Sequence, residues 1–243
     1  GGVKTAAVGL AGLETINANH SLLAHPDSRL GEYESNPTRQ DIEEIGAAMG
    51  VHLALNAVLN GEREIISVLA GDPREVMRLG VPLSRKATQA GVPRACGLVI
   101  ASPGGHPKDI NVYQAQKALA HAARVAAPGA TLILAAACPQ GAGSPHYEDW
   151  MRGKTTYAEI IADFSAEGFR IGPHKALLIA RDASQVRLRT VTDMDADQAA
   201  ALLLNPAADL QSALDQAIAD LPADALIGIL PHASSTIPFI AQD

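Results

Sequence analysis

The sequence predicts an α/β protein, with a parallel or mostly parallel sheet and helices on both of its faces in the carboxy-terminal portion. Three observations carry this reading. Continuous apolar runs at 95–101 (ACGLVIA), 131–137 (TLILAAA) and 225–230 (ALIGIL) look like parallel strands buried on both faces. Helical patterns separate them, and strands alternating with helices build a layered α/β domain. Composition agrees: 47% apolar and 19% charged residues over 243 positions exclude a disordered tail or a coiled coil and supply a real core.

The elements follow in order. Residues 1–35 are rich in glycine and turns, with a short helix across 13–23. Asn36 can cap a helix whose first position is Pro37, and Gly50 stops it. Strand-like runs at 51–59 and 64–70 are joined through Asn60-Gly61, a hairpin signal. Asp72-Pro73 opens a helix that should continue as broken turns through Gly80 and Pro82 to about residue 90. Gly91-Val92-Pro93 then breaks the pattern, so the domains are expected to be 1–90 and 91–243. Beyond it come the strand at 95–101, a turn at 102–105, a helix at 109–126 and the strand at 131–137. A loop at 138–154, a helix at 157–167, helical turns near 174–181 and a strand at 186–191 follow. Helices near 195–204 and 208–221 precede the last strand.

Charge and motif content narrow the function. The net charge is −7, no Lys/Arg run exceeds two, and aromatic residues are 3% of the chain, which argues against nucleic-acid and anionic-membrane partners. No apolar stretch approaches the ~20 residues of a membrane helix, and no signal peptide is expected. Cys96 and Cys138 read as buried, reduced thiols of a cytoplasmic protein. Dinucleotide-binding, P-loop, nucleophile-elbow and CxxC signatures are missing, which weakens dehydrogenase, nucleotidase and serine-hydrolase readings. The chain opens Gly1-Gly2-Val3-Lys4, with methionines only at 49, 77, 151 and 194, and is expected to be a piece of a longer one.

Ligands of an open parallel sheet bind beyond the carboxyl ends of its strands. Two segments fall there: 102–106 with the following helix, and 231–236. On that helix Ala115, Ala118, Leu119, Ala122, Ala123 and Ala126 form an apolar stripe, and Tyr113, Gln114, Lys117 and His121 gather opposite. A solvated helix face would carry the same residues. Yet Tyr113, Gln114 and Lys117 sit in the first two turns, where the helix dipole and unbonded N–H groups favour an anion. An amide, a phenol and an ammonium suit a small carboxylate with a neighbouring hydroxyl. Lys4 and His20 lie sixteen residues apart, and Gly1, Gly2, Gly9 and Gly12 suggest backbone packed around something. That spacing alone carries little. His25, His52, His146 and His174 form no HxxH or HxH pair and read as ordinary core or surface residues, and His232 reads as a capping neighbour.

The stretch 101–119 (ASPGGHPKDINVYQAQKAL) resembles the signature of the nickel-dependent lactate racemase family. Gly1-Gly2-Val3-Lys4, Glu14-Thr15-Ile16 with Asn19-His20, Asn36-Pro37 through Glu43, and Gly172-Pro173-His174-Lys175-Ala176 fit the same family in the same order. The resemblance covers essentially the whole chain but begins in mid-family. It implies a nickel-pincer nucleotide (a pyridinium-3-thioamide-5-thiocarboxylic acid mononucleotide) tethered to Lys4 through a thioamide. His20 would complete a nickel coordination otherwise made by sulfur and carbon donors, a soft set with imidazole that suits nickel. Tyr113, Gln114 and Lys117 match residues that hold the substrate. It implies racemisation or epimerisation of a 2-hydroxy acid by hydride removal and return: direct deprotonation beside a carboxylate is costly, whereas loss of hydride leaves a neutral 2-oxo acid. It also implies that residues 1–90 are the remnant of an α/β cofactor domain. The family's two acid–base histidines, a carboxylate-holding arginine and part of the phosphate site lie in the portion preceding the match to Gly1. Nothing in this chain replaces them, so the chain is expected to be catalytically incomplete and to need that missing amino-terminal portion as a partner. A non-catalytic module that binds a small organic anion or supports a partner chain is the alternative, and an isomerase or dehydrogenase using another nucleotide is a third.

Overall fold

The computed structural model describes residues 1–241. The second of its two units, which begins at Ala90, is built on a four-stranded sheet. The first unit is Gly1–Gln89.

The first unit contains α1 (Lys4–Leu10), α2 (Leu13–Ser21) and α3 (Pro37–Ala48), then β1 (Ala54–Leu59), β2 (Ile65–Gly71) and α4 (Pro73–Thr88). Asn36 caps α3 by accepting from the Arg39 N–H, with Pro37 in the first turn. β1 and β2 pair antiparallel. Their connection is longer than an Asn-Gly turn: Asn60 accepts from the Glu64 N–H and Arg63 takes a φ of 65°. The core here is small, Val3, Ala7 and Ile42 with Ile45 and Val51 against them. Helix α1 is missed by the sequence reading, because the glycines around it read as turn. α4 is one continuous helix rather than broken turns. Asp72 accepts from the N–H groups of Arg74 and Glu75, so the helix starts firmly and propagates past Pro82.

β3 (Gln89–Val92) begins on the last residue of the first unit, and the second unit continues with β4 (Cys96–Ala101), α5 (Val112–Ala123), β5 (Ala126–Ala135), α6 (Pro145–Met151), α7 (Tyr157–Glu167), α8 (Pro173–Ala183), β6 (Arg187–Val191), α9 (Ala196–Ala201), α10 (Leu210–Ala219), β7 (Ile227–Leu230) and β8 (Ile237–Ile240). The order β6-β5-β4-β7 is parallel throughout. Alternation along each strand divides the core. Val99, Leu132, Leu134 and Leu188 pack with α5 through α9, while Leu98 and Ile133 pack with Ala213 and Ala217 of α10. Helices therefore cover both faces of an α/β sheet, as the sequence predicts.

Three details differ from expectation. The 109–126 helix ends at Ala123, and Ala126 already pairs with Cys96. The 138–154 loop contains α6, which Ser144 caps by accepting from the Tyr147 N–H. β3 and β8 pair with each other as a separate two-stranded sheet; both are short, and Gly91 and Pro238 hide their pattern.

Candidate functional site

β4 and β7 are neighbours, so the loops leaving their carboxyl ends meet. The Ser102 carbonyl accepts from the Ala233 N–H at 2.8 Å, and the Lys108 ammonium reaches Ser235 Oγ at 3.4 Å. A Cβ on Gly104 would come within 2.8 Å of His232 Nδ1, so these loops touch where only hydrogen fits. The first loop delivers the chain to α5, which Asn111 caps by accepting from the Gln114 N–H at 3.0 Å.

Tyr113, Gln114 and Lys117 lie together on α5. Lys117 Nζ donates to Gln114 Oε1 at 2.7 Å, which turns the Gln114 amide N–H₂ away from the lysine. The start of α5 corrects one expectation. Its N–H groups do not await an anion: Val112 donates to the Gly141 carbonyl, Tyr113 to Ala142 and Gln114 to Asn111. The 138–143 loop folds over the helix end and consumes those donors, so any anion affinity here resides in side chains. His121 also departs from the exposed face assigned to it. It is buried, its Nδ1–H donates to the Thr236 carbonyl at 2.7 Å, and burial pulls its proton affinity down.

α8 completes the cluster. Lys175 Nζ donates to Gln116 Oε1 at 3.1 Å and lies 4.6 Å from the centre of the Tyr113 ring. It is 7% exposed, and burial together with the neighbouring Lys117 charge lowers its pKa to about 8. His174 accepts the Gly172 N–H at Nδ1, so the neutral ring carries its hydrogen on Nε2 and donates to the Tyr113 hydroxyl at 3.5 Å. The two rings meet edge to face at 5.7 Å. Tyr113's own hydroxyl hydrogen is then directed elsewhere. The site is thus a phenol, an amide and two ammonium groups. Sequence reasoning assigned no role to His174 or Lys175. The signal was present in Gly172-Pro173-His174-Lys175: Pro173 at a helix start marks the first turn, and a buried lysine announces itself only through its neighbours.

Lys4 and His20 belong to the first unit. Lys4 is exposed at the first position of α1. Val8 and Ala11, four and seven residues on, share its face and line a shallow cleft with Ile16, Asn19 and His20. His20 Nδ1–H donates to the Ile16 carbonyl at 2.9 Å, a pairing that fixes the orientation of the ring. Gly1 and Gly2 press on Asn56 and Met77, and the Gly2 N–H donates to Asn56 Oδ1 at 2.9 Å. Gly9 and Gly12 face open space, so the close packing expected around them is not there. Among the described residues no group of three His, Cys, Asp or Glu side chains could hold a metal by itself. No helix among them is long and apolar enough to cross a membrane.

A phenol, an amide and two ammonium groups thus stand together on α5 and α8, beyond the strand ends of a parallel α/β sheet. Residues 92–237 match the family model of the lactate racemase C-terminal domain, and the chain belongs to the lactate racemase family. It is 28% identical over 98% of its length to the lactate racemase of Thermoanaerobacterium thermosaccharolyticum, and 31% identical over 59% of its length to that of Lactiplantibacillus plantarum. It spans 57% and 34% of those relatives. The lactate racemase apoprotein structure from T. thermosaccharolyticum superimposes with a TM-score of 0.91 at 25% identity, over 98% of this chain and 58% of that one. A Thermotoga maritima protein shares the fold at a TM-score of 0.62 and 16% identity.

Proposed function

We propose that this chain is the carboxy-terminal part of a cytoplasmic 2-hydroxy acid racemase or epimerase, holding a nickel-pincer nucleotide through Lys4 and His20 and its substrate through Tyr113, Gln114 and Lys117. The observation that carries the reading is the Lys117–Gln114 pair beside Tyr113 on α5, in a chain of the lactate racemase family. The Lys117 ammonium pairs with the substrate carboxylate. The Gln114 N–H₂, already turned from Lys117, donates to a carboxylate or hydroxyl oxygen. The Tyr113 hydroxyl, accepting from His174, donates its own hydrogen to the substrate. Anchoring the carboxylate keeps a planar 2-oxo intermediate in place while rotation about its C1–C2 bond presents the other face.

The residues of the first unit fit the nucleotide. Lys4 offers an exposed amine for covalent attachment, on the same helix face as a cleft that His20 also lines. His20 offers an imidazole oriented through Nδ1, and one protein ligand suffices if the nucleotide brings the other donors. When bound, the group supplies an electrophilic carbon for reversible hydride exchange. The acid–base histidines belong to the preceding portion that residues 1–90, as the remnant of the cofactor domain, would continue.

The test is intact-mass analysis of the longer parent protein, produced together with the cofactor-making enzymes. A covalent adduct is expected, lost in Lys4→Ala, and an unmodified Lys4 in active enzyme refutes the tether. The anion cluster is formed within the second unit, which favours a second reading for the chain alone, a module that binds a small organic acid without turnover. Calorimetry of the 243-residue chain with lactate should show binding that Lys117→Ala weakens by about tenfold or more, on the order of one lost charge-assisted hydrogen bond, with no interconversion of enantiomers.

A further inference from the structure

We infer that Lys175 is a positioning residue of this anion site: its buried ammonium clamps the Tyr113 ring from behind and backs Lys117 with a second positive charge, so that the cluster selects anionic ligands without Lys175 touching them. The inference rests on the substrate reading of Tyr113, Gln114 and Lys117 given above.

Four observations support it. Lys175 is 7% exposed, and a buried lysine ordinarily has a carboxylate beside it. Here its named polar partner is the neutral Gln116 amide, itself 4% exposed. The ammonium stands 4.6 Å from the Tyr113 ring centre, where the ring's negative face attracts it and fixes the ring's tilt. His174, the preceding residue on α8, holds the other end of the same tyrosine. The charge that acts on Lys175 is another cation, Lys117. The helices packed on α8 bring Tyr113, Lys117 and His121 on α5, His146, Tyr147, Glu148 and Asp149 on α6, and Tyr157, Glu159, Asp163 and Glu167 on α7. Burial first, and then the Lys117 charge, lower the Lys175 pKa.

The Lys117 and Lys175 ammonium groups repel one another. A bound carboxylate relieves that repulsion. The arrangement therefore places an energetic preference for an anion in residues of which one, Lys175, is shielded from the ligand. Anion binding should draw a proton onto Lys175 wherever it is partly neutral, so affinity should fall as pH rises through about 8.

Calorimetric titration of the full 243-residue chain with lactate tests this, using Lys175→Met, Lys175→Arg and Lys117→Ala. Lys175→Met keeps the volume and removes the charge. It should weaken binding on the order of tenfold, as one unit charge acting through a partly screened medium would, and should flatten the decline of affinity above pH 8. Lys175→Arg keeps the charge and should restore most of the affinity. Should Lys175→Met not fold, the pH profile of the unsubstituted chain still decides: a profile flat from pH 7 to 9 overturns the inference. Binding abolished by Lys117→Ala but unchanged by Lys175→Met overturns this inference and leaves the substrate reading standing. No lactate binding by the unsubstituted chain overturns this inference together with the reading of the chain alone as a binding module.

Discussion

At the scale of single residues, burial sets both the chemistry and the stability of this protein. His121 is the clearest case. Held neutral by burial, with its Nδ1–H on the Thr236 carbonyl, it resists protonation in the folded state. The unfolded chain takes that proton near pH 6.5, so the unfolded state binds more protons below it. Stability should then fall as pH drops from 6.5, by at most about 1.4 kcal/mol per pH unit, until the folded pKa is reached. Urea unfolding at pH 7.0, 6.0 and 5.0 should show the decline, smaller in His121→Gln; equal declines in both proteins would acquit His121. Tyr147 makes the opposite point. It is fully buried, and its hydroxyl has no hydrogen-bond partner among the described residues, so burial drives its pKa upward. Tyr147→Phe removes a desolvated polar atom and should leave stability unchanged or higher by about 1 kcal/mol. The Cys138 thiol, pushed up to about 12 by burial, should be unreactive toward alkylating reagents in the native state.

At the scale of elements, the site depends on how α5 begins. Asn111 caps it, and the 141–142 carbonyls take its first N–H groups. Gly143 permits this: its φ is 79°, and a Cβ there would overlap the Asn111 side chain. Gly143→Ala should displace the cap and cost at least about 1 kcal/mol, and lactate affinity should fall with it, because Tyr113, Gln114 and Lys117 follow directly. Thermal melting with parallel calorimetry checks both, and a variant as stable as the parent would show that the cap is dispensable. The same elements mark what sequence could and could not disclose. Strands 95–101 and 131–137 were legible because a strand covered on both faces must be apolar at every position. Asn36-Pro37 and Asp72-Pro73 were legible because capping is chemistry local to three or four residues. Tyr113, Gln114 and Lys117 could be grouped because helical spacing puts them together. The fate of α5's N–H groups was not legible, since the carbonyls that take them lie nearly thirty residues away. Nor was Lys175 legible, since its distinction is a neighbourhood assembled by α5 and α8 together, and β3 with β8 is a pairing of the same non-local kind.

At the scale of the whole molecule, stability should be divided unequally. The second unit closes its main core on twenty-eight buried residues over five helices, with a second cluster under α10. Among the described residues the clustered core of the first is Val3, Ala7 and Ile42, and its β1–β2 ribbon carries Leu55, Ile65, Ile66 and Val68 more than half exposed. A two-stranded ribbon is marginal by itself, and burial of apolar area is the main term opposing chain entropy. In the 243-residue chain, amides of β1, β2 and α3 should therefore exchange with solvent through local opening, at free energies several kcal/mol below those of β4 and β5, whose exchange should track global unfolding. Hydrogen exchange followed by mass spectrometry resolves the two sets. Equal protection across 54–71 and 96–135 would mean that the small core of the first unit is not what limits it.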